Sequence, residues 1–160
     1  MKNRLIISVI IGLICVFYMA TAAAAKPVIK SDSSSFDVLK GMYVLKGNVS
    51  VEINNRLITA GEARVKVLSL EVWGSGGVTL TQDDIYFSGD NVYVNGQQDN
   101  ATITGGVTFK RGDLLITADE AEYNWKTKQG VFRNNVKIDD GTQVITTDYL
   151  VYNVLTNTYQ

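Results

Sequence analysis

ITADEAEYNW, residues 116–125, carries two incompatible signals. With Asp119 as N-cap and Glu122 three residues later it forms a capping box, and its Ala and Glu favour a helix. Ile116, Thr117, Tyr123 and Trp125 favour a strand instead. Whether the chain enters a helix here or bends within a sheet decides the fold.

Self-similarity along the chain answers the question. Val49, Val78, Val107 and Val136 lie 29 residues apart, each preceded by a Gly/Asn pair. The same step relates Ile29, Ile58, Phe87, Ile116 and Ile145, and also Asp32, Gly61, Asp90, Asp119 and Asp148. In register with ITADEAEYNW stand IKSDSSSFDV, ITAGEARVKV, FSGDNVYVNG and ITTDYLVYNV. None of these makes a helix, so the capping box is a coincidence of one copy. Ile116 and Ala118 share one face, but beyond Asp119 the apolar positions become Ala121, Tyr123 and Trp125. That change of parity is the mark of a bulge or corner in a strand. Asp suits the corner by bonding nearby backbone N–H groups, and Gly by tolerating unusual φ.

Each repeat therefore supplies two bent strands joined by polar turns such as Asn54-Asn55, Asp83-Asp84, Gly112-Asp113 and Asp140-Gly141. Four copies and an N-terminal half copy give nine or ten strands, a stack roughly 45 Å long at about 4.8 Å per strand. The expected fold is all-β: an antiparallel β-slot of bent strands, or open β-jellyroll, built from 29-residue repeats. Its inward columns are Val49, Val78, Val107, Val136; Val51, Leu80, Phe109, Ile138; and Ile58, Phe87, Ile116, Ile145. A further column runs Val65, Val94, Tyr123, Tyr152, and Phe132 is a large inward residue. A slot with diverging walls leaves part of such a lining without protein partners, as an apolar ligand requires. At the ends, Val28-Ile29 and Tyr149-Leu150-Val151-Tyr152 are expected as unpaired edge strands, with a fold-back of Thr156–Gln160 as the alternative for the second.

The N-terminal segment stands apart from this pattern. Lys2 and Arg4 precede an uncharged apolar run, Leu5–Met19, and an Ala-rich exit. That is the layout of a secretory signal peptide over residues 1–25, cleaved after Ala25, with an uncleaved anchor as the other reading. The domain then occupies residues 26–160. Without Lys2 and Arg4 it has 13 basic and 16 acidic residues, which gives no electrostatic reason to expect nucleic acid. The chain's only cysteine, Cys15, lies in the leader, so no disulfide is expected.

Catalytic and metal chemistry find no footing. The chain has no histidine, which removes Ser-His and Cys-His arrangements. Asp83-Asp84, Asp119-Glu120 and Asp139-Asp140 fall in turn or bend columns and read as solvated residues. Gly74–Gly77 precedes a strand rather than a helix, so it makes no phosphate cradle. One Asp per 29 residues is too sparse for the calcium sites of β-rolls. Lys110-Arg111 and Arg133 read as surface charge, with lipid phosphate at a slot rim as the sharper alternative. No cofactor and no metal are expected.

Pro27–Val51 resembles the opening of the OstA-like family of periplasmic lipopolysaccharide-transport proteins (LptA-like). The matching residues are Ile29, Ser31, Asp32, Phe36-Asp37, Gly41 and Gly47-Asn48-Val49, and ITADEAEYN and GGVTF are similar to the family's internal repeats. The resemblance covers roughly Pro27 to Tyr152. It implies a periplasmic, non-enzymatic protein that holds the lipid A acyl chains of lipopolysaccharide in the slot. It further implies head-to-tail self-association through the edges, bridging OstA-like domains of an inner-membrane (LptC-like) and an outer-membrane (LptD-like) component. Two other roles stand beside this one: a membrane-anchored LptC-like component, and a structural β-solenoid with a fully packed interior. An exported enzyme acting on a glycan has least support, for want of a convergent polar cluster.

Overall fold

The structure, a computed structural model, describes residues 27–160; the leader and the expected cleavage after Ala25 lie outside them. The described residues form strands and turns with no helix. Eleven strands make one antiparallel sheet: β1 Val28–Lys30, β2 Ser33–Asp37, β3 Met42–Ile53, β4 Arg56–Lys66, β5 Glu71–Gln82, β6 Ile85–Asn95, β7 Asn100–Arg111, β8 Leu114–Asn124, β9 Gln129–Asp139, β10 Val144–Asn153 and β11 Thr158–Tyr159. Each pairs with its sequence neighbour, except that β1 and β2 both lie on β3.

ITADEAEYN belongs to β8, with Trp125 in the turn that follows, and the capping residue Asp119 is the corner of a bent strand. Thr104 pairs with Glu120 and Val107 with Ala118, so Gly105 and Gly106 together face the single residue Asp119. The same two-against-one step sets Gly47-Asn48 against Gly61, Gly76-Gly77 against Asp90, and Asn134-Asn135 against Asp148. All eight paired residues take positive φ, between 46° and 81°. Only Gly and, at some cost, Asn occupy that region readily, which accounts for the composition of the column.

The acid column works differently from expectation. Asp32 accepts a hydrogen bond from Asn48 Nδ2 (2.9 Å) and Asp119 from Asn135 Nδ2 (2.7 Å), across the strand pair rather than from nearby backbone. Where Gly replaces Asn, the carboxylate packs against the backbone: a Cβ on Gly105 would lie 2.4 Å from Asp90 Oδ2.

The corners fold the sheet into two facing walls. Wall A holds β2, the first halves of β3, β5, β7 and β9, the second halves of β4, β6, β8 and β10, and β11. Wall B holds β1 and the remaining halves. Parity slips at the corners of β4, β6, β8 and β10 and is kept across the two-residue corners of β3, β5, β7 and β9, so the inward set stays apolar on both sides of each. On wall B one unbroken row runs Ile29, Val51, Ile58, Leu80, Phe87, Phe109, Ile116, Ile138, Ile145. Opposite the corners, the turns of both walls form the two rims of a mouth. Wall A turns end on left-handed residues Gly41, Leu70, Asp99, Lys128 and Asn157. Asn95, Asn124 and Asn153 cap three of them, accepting backbone N–H bonds of 2.9–3.2 Å.

The C-terminal edge corrects the expectation of an open strand over Tyr149–Tyr152. The tail doubles back through the turn capped by Asn153, and Thr158 and Tyr159 pair with Asn153 and Tyr152. Val151 N–H donates to Gln160 O (2.9 Å) and receives Gln160 N–H on its own carbonyl (3.0 Å). The uncovered part of β10 is Val144–Thr147 on wall B, together with Tyr149, whose N–H meets Thr147 Oγ1 at 3.4 Å. At the other end Val28 and Ile29 lie in β1, which is bonded to β3 on one flank.

The corner geometry yields a test. Gly105→Ala places a Cβ against Asp90 at a φ of +81°, while the Cβ of Gly106→Ala (φ +57°) meets nothing within 4 Å. Urea denaturation is expected to show a loss of about 2–3 kcal/mol for the first and about 1 kcal/mol for the second. Equal losses would refute the tight corner.

Candidate functional site

The space between the walls is the one apolar interior of the described domain. Val49, Val51, Ile58, Val78, Leu80, Phe87, Val107, Phe109, Ile116, Tyr123, Phe132, Val136 and Ile138 are all buried in it. Ile145 is the exception at 36 % exposure, because it ends its row and no strand lies beyond β10 on wall B. Tyr152, of the column with Val65, Val94 and Tyr123, and Leu150 also point inward and are buried.

Expectation and structure part over how the interior is filled. A slot with diverging walls was expected, but the walls meet. Phe109 of wall B lies 5.6 Å from Phe132 and 5.3 Å from Tyr152 of wall A, centroid to centroid. Phe87 approaches Tyr123 at 5.5 Å and stacks on Phe132 at 6.2 Å. Rings at these separations hold the walls together by dispersion and edge contacts. The large rings lie towards β6–β10; nearer β3 the lining is aliphatic and small, with Ala60, Ala63 and Gly74 among it.

Polar contacts close the mouth. Arg111 extends from the end of β7 on wall B, pairs with Asp84 (Nε to Oδ2, 2.7 Å), and donates to Tyr152 Oη (2.9 Å) and the Val154 carbonyl on wall A. The two oxygen partners Asp84 and Tyr152 raise the Arg111 pKa, and Arg111 in turn lowers that of Asp84. Arg56 stacks over Trp125 at 4.3 Å from the ring, and burial lowers its pKa against the attraction of Asp99. Tyr159 donates to Asp140 (3.0 Å), whose pKa is depressed chiefly by bonds from Thr142 and the Gln143 N–H. Between these latches lies a crevice of about 260 Å³ reached by Gln82, Arg111, Tyr123 and Lys128. Gln82 is 3 % exposed and its Oε1 has no partner.

These mouth residues were not singled out in the sequence, although the repeat carried a signal for them. Two residues beyond the column Val51, Leu80, Phe109, Ile138 stand Ile53, Gln82, Arg111 and Asp140, where an inward apolar column turns polar at the rim. Of the basic residues considered for the rim, Arg111 is there. Arg133 is not: it pairs with Glu120 (3.1 Å) and Glu122 (3.6 Å) on wall A. Among the described residues no group of three or more His, Cys, Asp or Glu is arranged to hold a metal.

Tyr123 reports on the closed state. It is 1 % exposed, and burial pushes its hydroxyl up to about 12. A raised value leaves stability intact below pH 10 and removes it as pH rises from 10 to 12. Two units correspond to a loss of up to about 2.7 kcal/mol. Denaturation midpoints should fall over that window, and Tyr123→Phe should flatten the fall. An unchanged profile in the variant would show that the ring does not carry the effect.

A search of curated proteins finds no match for the sequence. Solved structures share the fold. One is the crystal structure of LptH, the LptA-homologous periplasmic component of the conserved lipopolysaccharide transport device from Pseudomonas aeruginosa. The two superpose with a TM-score of 0.65 at 12 % identity, covering 78 % of this chain and 97 % of that one. The OstA-like protein family matches residues 48–159, from the first corner to the last strand. The chain belongs to the OstA-like protein family.

Proposed function

We propose that the protein is a periplasmic, non-enzymatic carrier of lipopolysaccharide that receives lipid A acyl chains between its two walls. The observation that carries the reading is the unbroken apolar lining of both walls, closed at the mouth by a few polar contacts. The OstA-like family and the likeness to LptH support it. Burial of about a dozen methylene groups supplies about 10 kcal/mol at roughly 0.8 each, ample to hold an acyl chain out of water. A chain that parts the walls exchanges wall–wall contacts for wall–methylene contacts, so the lining stays covered. Loading then requires the mouth contacts to yield first.

Bridging of LptC-like and LptD-like domains, and head-to-tail self-association, belong to the same proposal. The N-terminal flank around Val28 and Ile29 would meet the C-terminal edge, where Val144–Thr147 and Tyr149 are uncovered. The family is shared by periplasmic and membrane-anchored roles, and an LptC-like role remains the neighbouring alternative. One observation favours a second reading: the packed interior also suits a structural β-solenoid that carries nothing.

Native mass spectrometry of the protein purified from the cell envelope separates the two. The carrier reading expects bound lipid, and photo-crosslinkers at Phe109 or Ile116 should capture lipopolysaccharide in cells. Arg111→Ala, which loosens the mouth, should raise the rate of lipid uptake severalfold. A lipid-free protein with capture only at outward Thr108 or Thr117 would leave the solenoid reading standing.

A further inference from the structure

The wall A turns follow the repeat, and their tips can be compared one by one. The first tip position reads Val38, Val67, Gly96, Trp125, Val154, and the next reads Leu39, Leu68, Gln97, Lys126, Leu155. Gln97 and Lys126 show that this turn is built equally well with a polar tip. Leu39 is nevertheless 99 % exposed, Leu68 100 % and Val38 80 %. The fold does not require these aliphatic residues, and water disfavours them there.

They are also concentrated in space. The β2–β3 and β4–β5 turns are separated by two strand spacings, roughly 10 Å. Behind the tips the side chains follow a graded order. Lys40 and Lys66 stand at the necks of the turns, and Lys66 lies 5.6 Å over the Trp73 ring. On the outer face beyond them Trp73 and Tyr93 pack at 5.4 Å, and on the inner face at the exposed end of the same wall Phe36 and Tyr43 pack at 5.0 Å. Asp37 beside Lys40 (3.9 Å) and Glu71 beneath the Tyr93 hydroxyl (2.9 Å) leave the patch close to neutral.

We propose that this N-terminal corner of wall A docks into the interface of a phospholipid bilayer. Aliphatic tips, then lysine stems, then Trp and Tyr is the depth order of interfacial anchors, with tails in the acyl boundary and rings at headgroup level. Two protruding turns offer too little area for a protein partner, which needs roughly 800 Å² a side. A bilayer accepts such tips without a matching pocket. The near-neutral charge makes apolar insertion the main term, so binding depends only weakly on anionic lipid. Leu155, alone at the other end of the rim, lacks these neighbours and serves as an internal control.

Flotation of the protein purified from the cell envelope with phosphatidylethanolamine–phosphatidylglycerol vesicles tests the idea, since it reads docking whether or not the interior carries lipid. The wild type should float. Leu39→Glu/Leu68→Glu, two changes at fully exposed sites, should weaken binding by about tenfold or more, and Leu155→Glu should leave it unchanged. Lipids brominated on the acyl chains should quench Trp73 in the wild type and not in the double variant. No flotation, or equal flotation of the double variant, would overturn the proposal; so would association with a protein partner that the double variant abolishes while vesicle binding persists.

Discussion

The structure depends on the corner at which two left-handed residues face one residue of the next strand. Because the side-chain period is two, one residue more or fewer at the corner decides which face of the second half points inward. The strand with two corner residues keeps its inward parity, as from Leu45 to Val49, while its partner with one changes it, as from Ala118 to Ala121, and both walls keep apolar inner faces. The two-residue corner requires consecutive positive φ, so Gly47-Asn48, Gly76-Gly77, Gly105-Gly106 and Asn134-Asn135 are restricted in composition. Asp32 and Asp119 are held by a neighbouring Asn, and Asp90 packs on Gly105. One local constraint, applied in every strand pair at the same place, turns a flat meander into a two-walled sandwich.

The interior and its mouth obey opposite physics. Inside, Phe87, Phe109, Phe132, Tyr123 and Tyr152 attract without direction and can be exchanged for another apolar body at little net cost. At the rim, Arg111, Arg56 and Tyr159 make directional contacts between specific partners. Those contacts are few and close to solvent, where each contributes modestly. On the proposed carrier reading, such a division would let the walls part from the mouth while the corners, stitched by backbone pairing, stay fixed.

Most of the fold was legible because it repeats. Ile116 alone is ambiguous, but Ile29, Ile58, Phe87, Ile116 and Ile145 together fix a strand face, and the gap between Ala118 and Ala121 locates the corner. What escaped was what periodicity does not encode. Whether two apolar walls touch or diverge depends on their distance, which no spacing in one strand reports. Arg111 looked like surface charge because its partners Tyr152 and Val154 lie some forty residues away on the opposite wall. The covered edge at Val151 stood only as the alternative reading for another reason: Thr156–Gln160 belongs to no complete repeat, and its path is set by the Asn153 cap and left-handed Asn157.

Strand starts at Met42, Glu71, Asn100 and Gln129, and at Arg56, Ile85 and Leu114, advance without drift. Axial extent is therefore quantised. Inserting one whole 29-residue copy would add two strands, lengthening the body by about 9.6 Å, and would carry its own corner and turns. Inserting any other number would misalign the rows of both walls at once. In such an array, span is an inherited digital property, altered by duplication or loss of a unit and insensitive to point substitution.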